Sequence, residues 1–273
     1  MVSQEQRRRQ LAREKFLRQQ QRRTEARRKS RVRNSVIASV LGVVLVGSLG
    51  LYTAGTFDRD EDTSNANAEV TPSAEAPSKA PDPCEKLAEG KVASKTWKKE
   101  PALSIDKSAK YTMTLETTCG TIDMALKASA APHTVNSFEF LAGEGYFDHS
   151  TCHRLTTNGI YVLQCGDPTG SGTGGPGYTI PDENLKDKSL KDSTYPAGTV
   201  AMANTGQKDS GGSQFFLVYE DSPLPPSYTP FGTVSEGGLK VLKKIAEAGD
   251  STGAGDGAPN ATVVIDKATV TKS

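Results

Sequence analysis

From Ser35 to Gly55 the chain carries no charged residue, and that stretch divides everything around it. Its centre, Val36-Ile37-Ala38-Ser39-Val40-Leu41-Gly42-Val43-Val44-Leu45-Val46, continues through Leu49, Leu51 and Tyr52. About 20 predominantly apolar residues cross a bilayer as an α-helix. Residues 35–56 are therefore expected to form a transmembrane helix, with the membrane met from Val36 to Tyr52. The charge on the two sides is lopsided. Residues 1–33 carry thirteen Lys/Arg against three Asp/Glu, and the remaining 240 carry twenty against twenty-nine. The net charge of +1 thus hides a basic end and an acidic remainder. Basic residues stay on the cytoplasmic side of a span, which predicts a cytoplasmic tail over 1–34 and an outer location for everything after Phe57. The expected localisation is the cell membrane, single-pass. A cleaved signal peptide would carry a shorter basic leader and a small-x-small cleavage site, and this sequence has no convincing example of either. Ala38 and Gly42 make a small-xxx-small pair, a weak hint of helix pairing.

The basic tail is rich in Arg, Gln, Glu and Ala, all good helix formers, and is too poor in apolar residues to build a core. It reads either as a solvated segment or as a helix on anionic lipid; nucleic acid is not an expected partner. After the span, residues 58–83 are Asp, Thr, Ser, Asn, Ala and Pro, the composition of a flexible stalk. Residues 84–110 hold the only tryptophan, Trp97, among many lysines, and the sequence does not place them. Stalk and transitional segment together occupy 57–109.

A compact domain is expected over 110–273. Tyr111-Thr112-Met113-Thr114-Leu115-Glu116-Thr117 alternates and is β-branched, Cys119-Gly120 turns, and Thr121 to Leu126 alternates back as a hairpin. Pro132 opens a helix at the first turn, where proline is tolerated. Val135, Phe138, Leu141 and Ala142 follow at helical spacing, and Gly143 and Gly145 stop it. Short strands are expected near 151–156, 160–165, 199–203 and 214–219. A second helix carries Leu239, Leu242, Ile245 and Ala246 and ends at Gly249. A last strand covers 261–270. Many short strands with two helices predict a mainly β fold, a closed antiparallel barrel capped by helices.

Several blocks recur in a fixed order. Cys152-His153-Arg154-Leu155 precedes Gln164-Cys165-Gly166-Asp167-Pro168, which leads into the glycine-rich run 170–177 and Tyr178. Gly198-Thr199-Val200-Ala201-Met202-Ala203-Asn204 precedes Gly211-Gly212-Ser213-Gln214-Phe215-Phe216, and Tyr228-Thr229-Pro230-Phe231-Gly232 follows. In this order and spacing they resemble the cyclophilin family, across about residues 110–271. Alanine, glycine and arginine content, with the cysteines, is similar to an actinobacterial lineage of it. The resemblance implies a cyclophilin-like barrel and a peptidyl-prolyl cis-trans isomerase that needs no cofactor and no metal. Its partners would be proline-containing polypeptides folding on the outer side of the membrane. Arg154 matches the catalytic donor, and Gln164 would orient it. Ala203 and Asn204 match the segment that pairs with the peptide backbone, and Gln214 a second polar contact. Tyr161, Val162, Phe216, Leu224 and Tyr228 would line the proline slot.

Competing chemistries fit less well. The glycine run lacks the Lys-Ser/Thr ending and following helix of a phosphate cradle. Cys152 and His153, adjacent on a strand, would point to opposite faces and are poorly placed to share an ion. Ser213 lacks a nucleophile-elbow context, and none of His133, His149 and His153 is needed; His153 would face away from Arg154. Two departures from the family pattern stand out. Arg154 and Gln164 are ten apart, two more than usual, which predicts a longer turn at Thr156-Thr157-Asn158-Gly159. Pro223 stands where cyclosporin-sensitive members have Trp, which predicts weak cyclosporin binding. The longer turn and Val162 also leave room for a binding module without turnover, and a third reading is a membrane scaffold acting through its basic tail. Cys84, Cys119, Cys152 and Cys165 all fall on the outer side, where an even count favours two disulfides. By strand parity Cys152 shares a face with Arg154 while Cys165 opposes Gln164, so these two are expected not to pair with each other.

Overall fold

The computed structural model describes residues 82–273; the expected tail, transmembrane helix and most of the stalk lie outside the described residues. Among the described residues no helix is long and apolar enough to cross a membrane.

The first hairpin forms as its alternation requires. β1 (Tyr111–Thr117) and β2 (Gly120–Leu126) pair from Tyr111 opposite Leu126 to Thr117 opposite Gly120. Tyr111, Met113 and Leu115 on one strand and Ile122, Met124 and Leu126 on the other all point inward, as a period of two dictates. Around the hairpin run β3 (Ser150–Thr151), β4 (Arg154–Asn158), β5 (Ile160–Cys165), β7 (Thr199–Met202), β8 (Phe215–Val218), β10 (Pro230–Val234), β11 (Asp256–Gly257) and β12 (Val264–Lys272). They make one wrapped sheet in the order β11-β4-β5-β8-β7-β10-β2-β1-β12-β3. All its ladders are antiparallel. Its end strands are β11 and β3, and no ladder joins these two among the described residues. β6 (Thr194–Tyr195) and β9 (Ser222–Pro223) pair separately as a two-stranded sheet.

Two helices cover the sheet. α1 (Pro132–Gly143) packs on β12 and α2 (Glu236–Glu247) on β2. Helix starts leave backbone N–H groups without partners. In α1 they are met from a distant loop, where the Glu183 carboxylate accepts from His133 N at 3.0 Å, Thr134 N at 2.9 Å and Thr134 Oγ1 at 2.8 Å. α2 is capped locally, Ser235 Oγ accepting from Gly238 N at 3.1 Å. α1 delivers Phe138 into the core, 4.6 Å from Phe231, 5.3 Å from Phe147 and 5.4 Å from Phe215 between ring centres.

The final strand starts three residues later than expected. Val263 N donates to Ala261 O at 3.0 Å in a tight turn, and Thr262 N is taken by the Asp82 carboxylate, so Ala261 to Val263 are lost to the ladder. Residues 82–109, unplaced by the sequence, lie along the domain. Cys84 is disulfide-bonded to Cys119 in the β1–β2 turn, Lys95 pairs with Glu144, and Ser104 N donates to Asn136 of α1. Cys152 and Cys165, expected to point apart, form the second disulfide. Parity failed because Cys152 and His153 belong to no strand: the chain breaks between β3 and β4, freeing both side chains from strand alternation.

Candidate active site

Cross-strand pairing assembles the site. Arg154 faces Gln164, Gln164 faces Phe216, and Phe216 faces Ala201, across β4, β5, β8 and β7. Directly opposed residues share a face of the sheet. One register position away, Leu155, Leu163, Leu217 and Val200 form the matching row on the core side and are fully buried. At this position the sheet presents Arg154, Gln164 and Phe216 outward, backed by an aliphatic row inward.

The outward row carries a hydrogen-bond relay. Arg154 Nε and Nη2 donate to the two Asp256 oxygens at 2.7 and 2.8 Å. Arg154 Nη1 donates to Gln164 Oε1 at 3.3 Å. Gln164 Nε2 donates to Gln214 Oε1 at 2.8 Å, and Gln214 Nε2 to the Gly174 carbonyl at 2.9 Å. The Asp256 bonds raise the Arg154 pKa further against the opposing effect of burial, and the same bonds lower that of Asp256. The guanidinium is thus a fixed cation held in one plane.

Beside it lies a cavity of about 520 Å³ lined by Ile160, Val162, Phe216, Leu224 and Tyr228, with Arg154 and Gln164 on its polar side. Its aromatic wall is ordered. Tyr228 sits edge-on to Phe216 at 5.5 Å, and the buried Tyr195 hydroxyl donates to Tyr228 O at 2.7 Å. Burial raises the Tyr195 pKa to about 12, so it stays a phenol. A second cavity of about 790 Å³ adjoins, lined by Gly174, Pro176, Ser210 and Gln214. Both cavities share Gln164, Gly172, Ala203 and Asn204 as their divide. Asn204 Nδ2 donates to Ser227 O at 2.8 Å and its Oδ1 accepts from Gly206 N at 3.0 Å, so this side chain braces the divide.

Most expected site residues meet here, but Tyr161 does not. On β5 it alternates with Val162 and faces the core side with Leu163, its ring 6.0 Å from Tyr219. Ile160 fills the wall position instead, two residues from Val162, which period-two counting from Val162 would have found. His153 is a second correction: lying outside β4, it turns toward the cavity beside Arg154. Burial lowers its pKa, Asp167 and Arg154 acting in opposite directions after that. The extra residues between Arg154 and Gln164 do not loosen a turn. They extend the ladder through Asn158 opposite Ile160, and Gly159 takes the left-handed φ of 78° that so tight a reversal needs. Asp256 was missed; it lies 102 residues from Arg154 in sequence and carries no local signal of its role.

The geometry also disposes of the rival chemistries. The Gly172 and Gly174 N–H groups, at 2.7 and 3.0 Å, already hold the Asp167 carboxylate, not an external phosphate. Burial raises the Asp167 pKa, but bonds from Gly174, Thr169 and Gly172 outweigh it and bring it to about 2. Cys152 and Cys165 are bonded to each other and offer no thiolate to a metal. Ser213 Oγ is buried and spends its hydrogen on Gly166 O at 2.7 Å. What remains is an apolar slot beside a fixed cationic donor, the equipment of a protein that grips a peptide and polarises one carbonyl or amide.

Comparison with known proteins agrees. The profile of the family described as cyclophilin type peptidyl-prolyl cis-trans isomerase/CLD matches residues 112–270, and the chain belongs to that family. It is similar to proteins named probable peptidyl-prolyl cis-trans isomerase B from Mycobacterium leprae, 46% identical over 166 residues, and Mycobacterium tuberculosis, 47% over 165. Each match covers 58% of this chain, and 56% and 53% of those relatives. The chain thus spans little more than half the length of these two relatives. The peptidyl-prolyl cis-trans isomerase B of Bacillus subtilis is 47% identical over 126 residues, which is 46% of this chain and 82% of that one. Among solved structures, a cyclophilin-type isomerase of Cryptosporidium parvum superposes with a TM-score of 0.50 at 25% identity, covering 60% of this chain and 99% of that one.

Proposed function

We propose that this protein accelerates cis-trans rotation about X-Pro bonds in polypeptides folding on the outer side of the membrane. Rotation is slow because partial double-bond character in the imide sets a barrier of about 20 kcal/mol. A catalyst must hold the twisted imide more tightly than either planar isomer. The proline ring enters the slot between Val162, Phe216, Leu224 and Tyr228. As conjugation is lost, the lone pair returns to the imide nitrogen, and a preorganised donor aimed there lowers the barrier. The carrying observation is the Arg154 guanidinium. It has five N–H bonds; Asp256 takes two and Gln164 one, which leaves two for the substrate without the plane being free to turn.

The finer expectations belong with this reading. An anchor over 35–56 with the isomerase domain outside is supported by the charge asymmetry across the apolar stretch. Barrel closure is supported by the step from β3 to β4, only two residues long, and by the Cys152–Cys165 bond that ties this step to the end of β5. Protease protection of a C-terminal tag on intact cells tests the topology. The activity is tested with the full chain in a protease-coupled proline-peptide assay beside Arg154→Ala. The expected result is catalysis that Arg154→Ala lowers on the order of a hundredfold. A rate at background refutes the enzyme reading and leaves a proline-peptide binder, and equal rates for both proteins remove Arg154 from the mechanism.

A further inference from the structure

The segment before the barrel, residues 82–110, lies outside the stretch matched by the family profile, yet it reaches the substrate cleft from behind. Trp97 N donates to the Pro176 carbonyl at 2.7 Å. The two backbones run so close that a Cβ on Gly177 would lie 2.7 Å from the Trp97 carbonyl oxygen and 3.1 Å from Thr96 Cβ. Gly177 moreover has a φ of 89°, which side-chain-bearing residues rarely adopt. Pro176 and Gly177 both line the second cavity. The indole is itself fixed, edge-on to Phe140 of α1 at 5.1 Å and 5.8 Å from the Tyr146 ring. The Tyr146 hydroxyl in turn lies 3.3 Å from Ser213 Oγ, and Ser213 lines the same cavity one residue before Gln214. Trp97 therefore meets the cavity wall by two routes, through the Pro176–Gly177 backbone on one side and through Tyr146 and Ser213 on the other.

We infer that Trp97 is a positioning residue for the substrate cleft: the segment 82–110 acts as a strap whose tryptophan sets the rim that receives the peptide beyond its proline. The strap is secured on both sides of this point. Cys84 is bonded to Cys119, and the Asn136 amide receives Ser104 N and donates to Ala102 O at 3.1 Å. The rim runs through Gly172, Gly174, Pro176 and Gly177; the Asp167 carboxylate holds its start at Gly172 and Gly174, and the strap backs its end at Pro176 and Gly177. The proline slot with Arg154 is held by the β4–β5–β8 rows and does not depend on the strap. Loss of the indole should accordingly weaken the hold on an extended peptide and leave the rotation step intact.

This inference rests on the isomerase reading for its kinetic arm only. Trp97 is the one tryptophan in the chain, so intrinsic fluorescence reports on it alone. Titrating the full chain with succinyl-Ala-Ala-Pro-Phe-amide should shift the emission, whereas the dipeptide Ala-Pro, too short to span both cavities, should leave it unchanged. In the protease-coupled assay with the matching 4-nitroanilide, Trp97→Ala should raise KM roughly fivefold with kcat within about twofold, the signature of lost binding without lost transition-state contact. Trp97→Phe should restore KM, because a ring remains between Phe140 and Tyr146. Circular dichroism melts of both variants establish that they fold, and Trp97→Phe carries the test should Trp97→Ala unfold, since it must then match wild type. Identical KM in wild type and folded Trp97→Ala, a fall confined to kcat, or emission that answers equally to both peptides overturns the inference. An inactive wild type whose emission still answers only to the longer peptide would refute the isomerase reading and leave the strap's role standing.

Discussion

Replacing Asp256 by asparagine separates the donor from what holds it. Asp256 grips the guanidinium through Nε and Nη2; asparagine keeps the shape but presents one acceptor oxygen in place of two. The ion pair lies toward solvent, its side chains 38% and 58% exposed. Water screens such pairs, and they contribute only about 0.2–1 kcal/mol to folding. Thermal stability should therefore barely move. Activity should move more. Losing a donor altogether costs on the order of a hundred- to a thousandfold, and that limit belongs to Arg154→Ala. In Asp256→Asn the donor stays charged and keeps Gln164 as a partner, so only its orientation loosens. A loss of about 1 kcal/mol in transition-state stabilisation corresponds to roughly a fivefold fall in rate.

The expected result in the protease-coupled assay is a kcat/KM for Asp256→Asn about fivefold below wild type, carried mostly by kcat, with a melting temperature close to wild type. An unchanged kcat/KM would show that Gln164 alone orients the guanidinium. A loss as deep as that of Arg154→Ala would place Asp256 in contact with the substrate. A faster enzyme would make Asp256 a competitor for the donor. Each of these outcomes refutes the account of Asp256 as the group that holds Arg154 in plane.

Asp167 supplies a pH prediction. A carboxyl whose folded pKa lies below its unfolded value stabilises the fold above the unfolded pKa, and that stability is lost as pH falls through the folded one. With Asp167 at about 2 against the usual 3.8, the contribution is complete above pH 4 and disappears between about pH 4 and 2. It is worth on the order of 2 kcal/mol, so Asp167→Asn should lower urea-unfolding stability by that order at pH 7 and by much less at pH 2.5. Strand parity supplies a pair of substitutions: Ile160→Ala, in the cavity wall, should raise KM for proline peptides severalfold, while Tyr161→Phe, on the core side, should leave it within about twofold. Steady-state kinetics on both variants checks this, and the reverse ranking would place Tyr161 in the slot.

Periodicity was legible wherever a segment had room to be regular. β1 and β2 follow from alternation between Tyr111 and Leu126, α1 from Pro132 and the spacing of Phe138, and the pairing of Arg154 with Gln164 from two neighbouring strands. Failures cluster where regularity stops. Cys152 and His153 occupy a two-residue step between β3 and β4, and a period of two has no meaning across a break in the ladder. One break produced both errors: the cysteines were separated though they are bonded, and His153 was turned away from a cavity it lines. The extra residues before Gln164 were read as loop because a count of residues does not distinguish a longer turn from a longer ladder; the cross-strand bonds of Thr156 and Asn158 do. Asp256 and Trp97 show a deeper limit. Each acts by standing behind another residue, Asp256 beside Arg154 and Trp97 behind Pro176, from 102 and 79 positions away. Residues that touch a substrate are confined to a few side-chain types by its chemistry, so a sequence motif can expose them. Residues that position those groups need only the right shape at the right point in space, and that point exists only once the chain has folded.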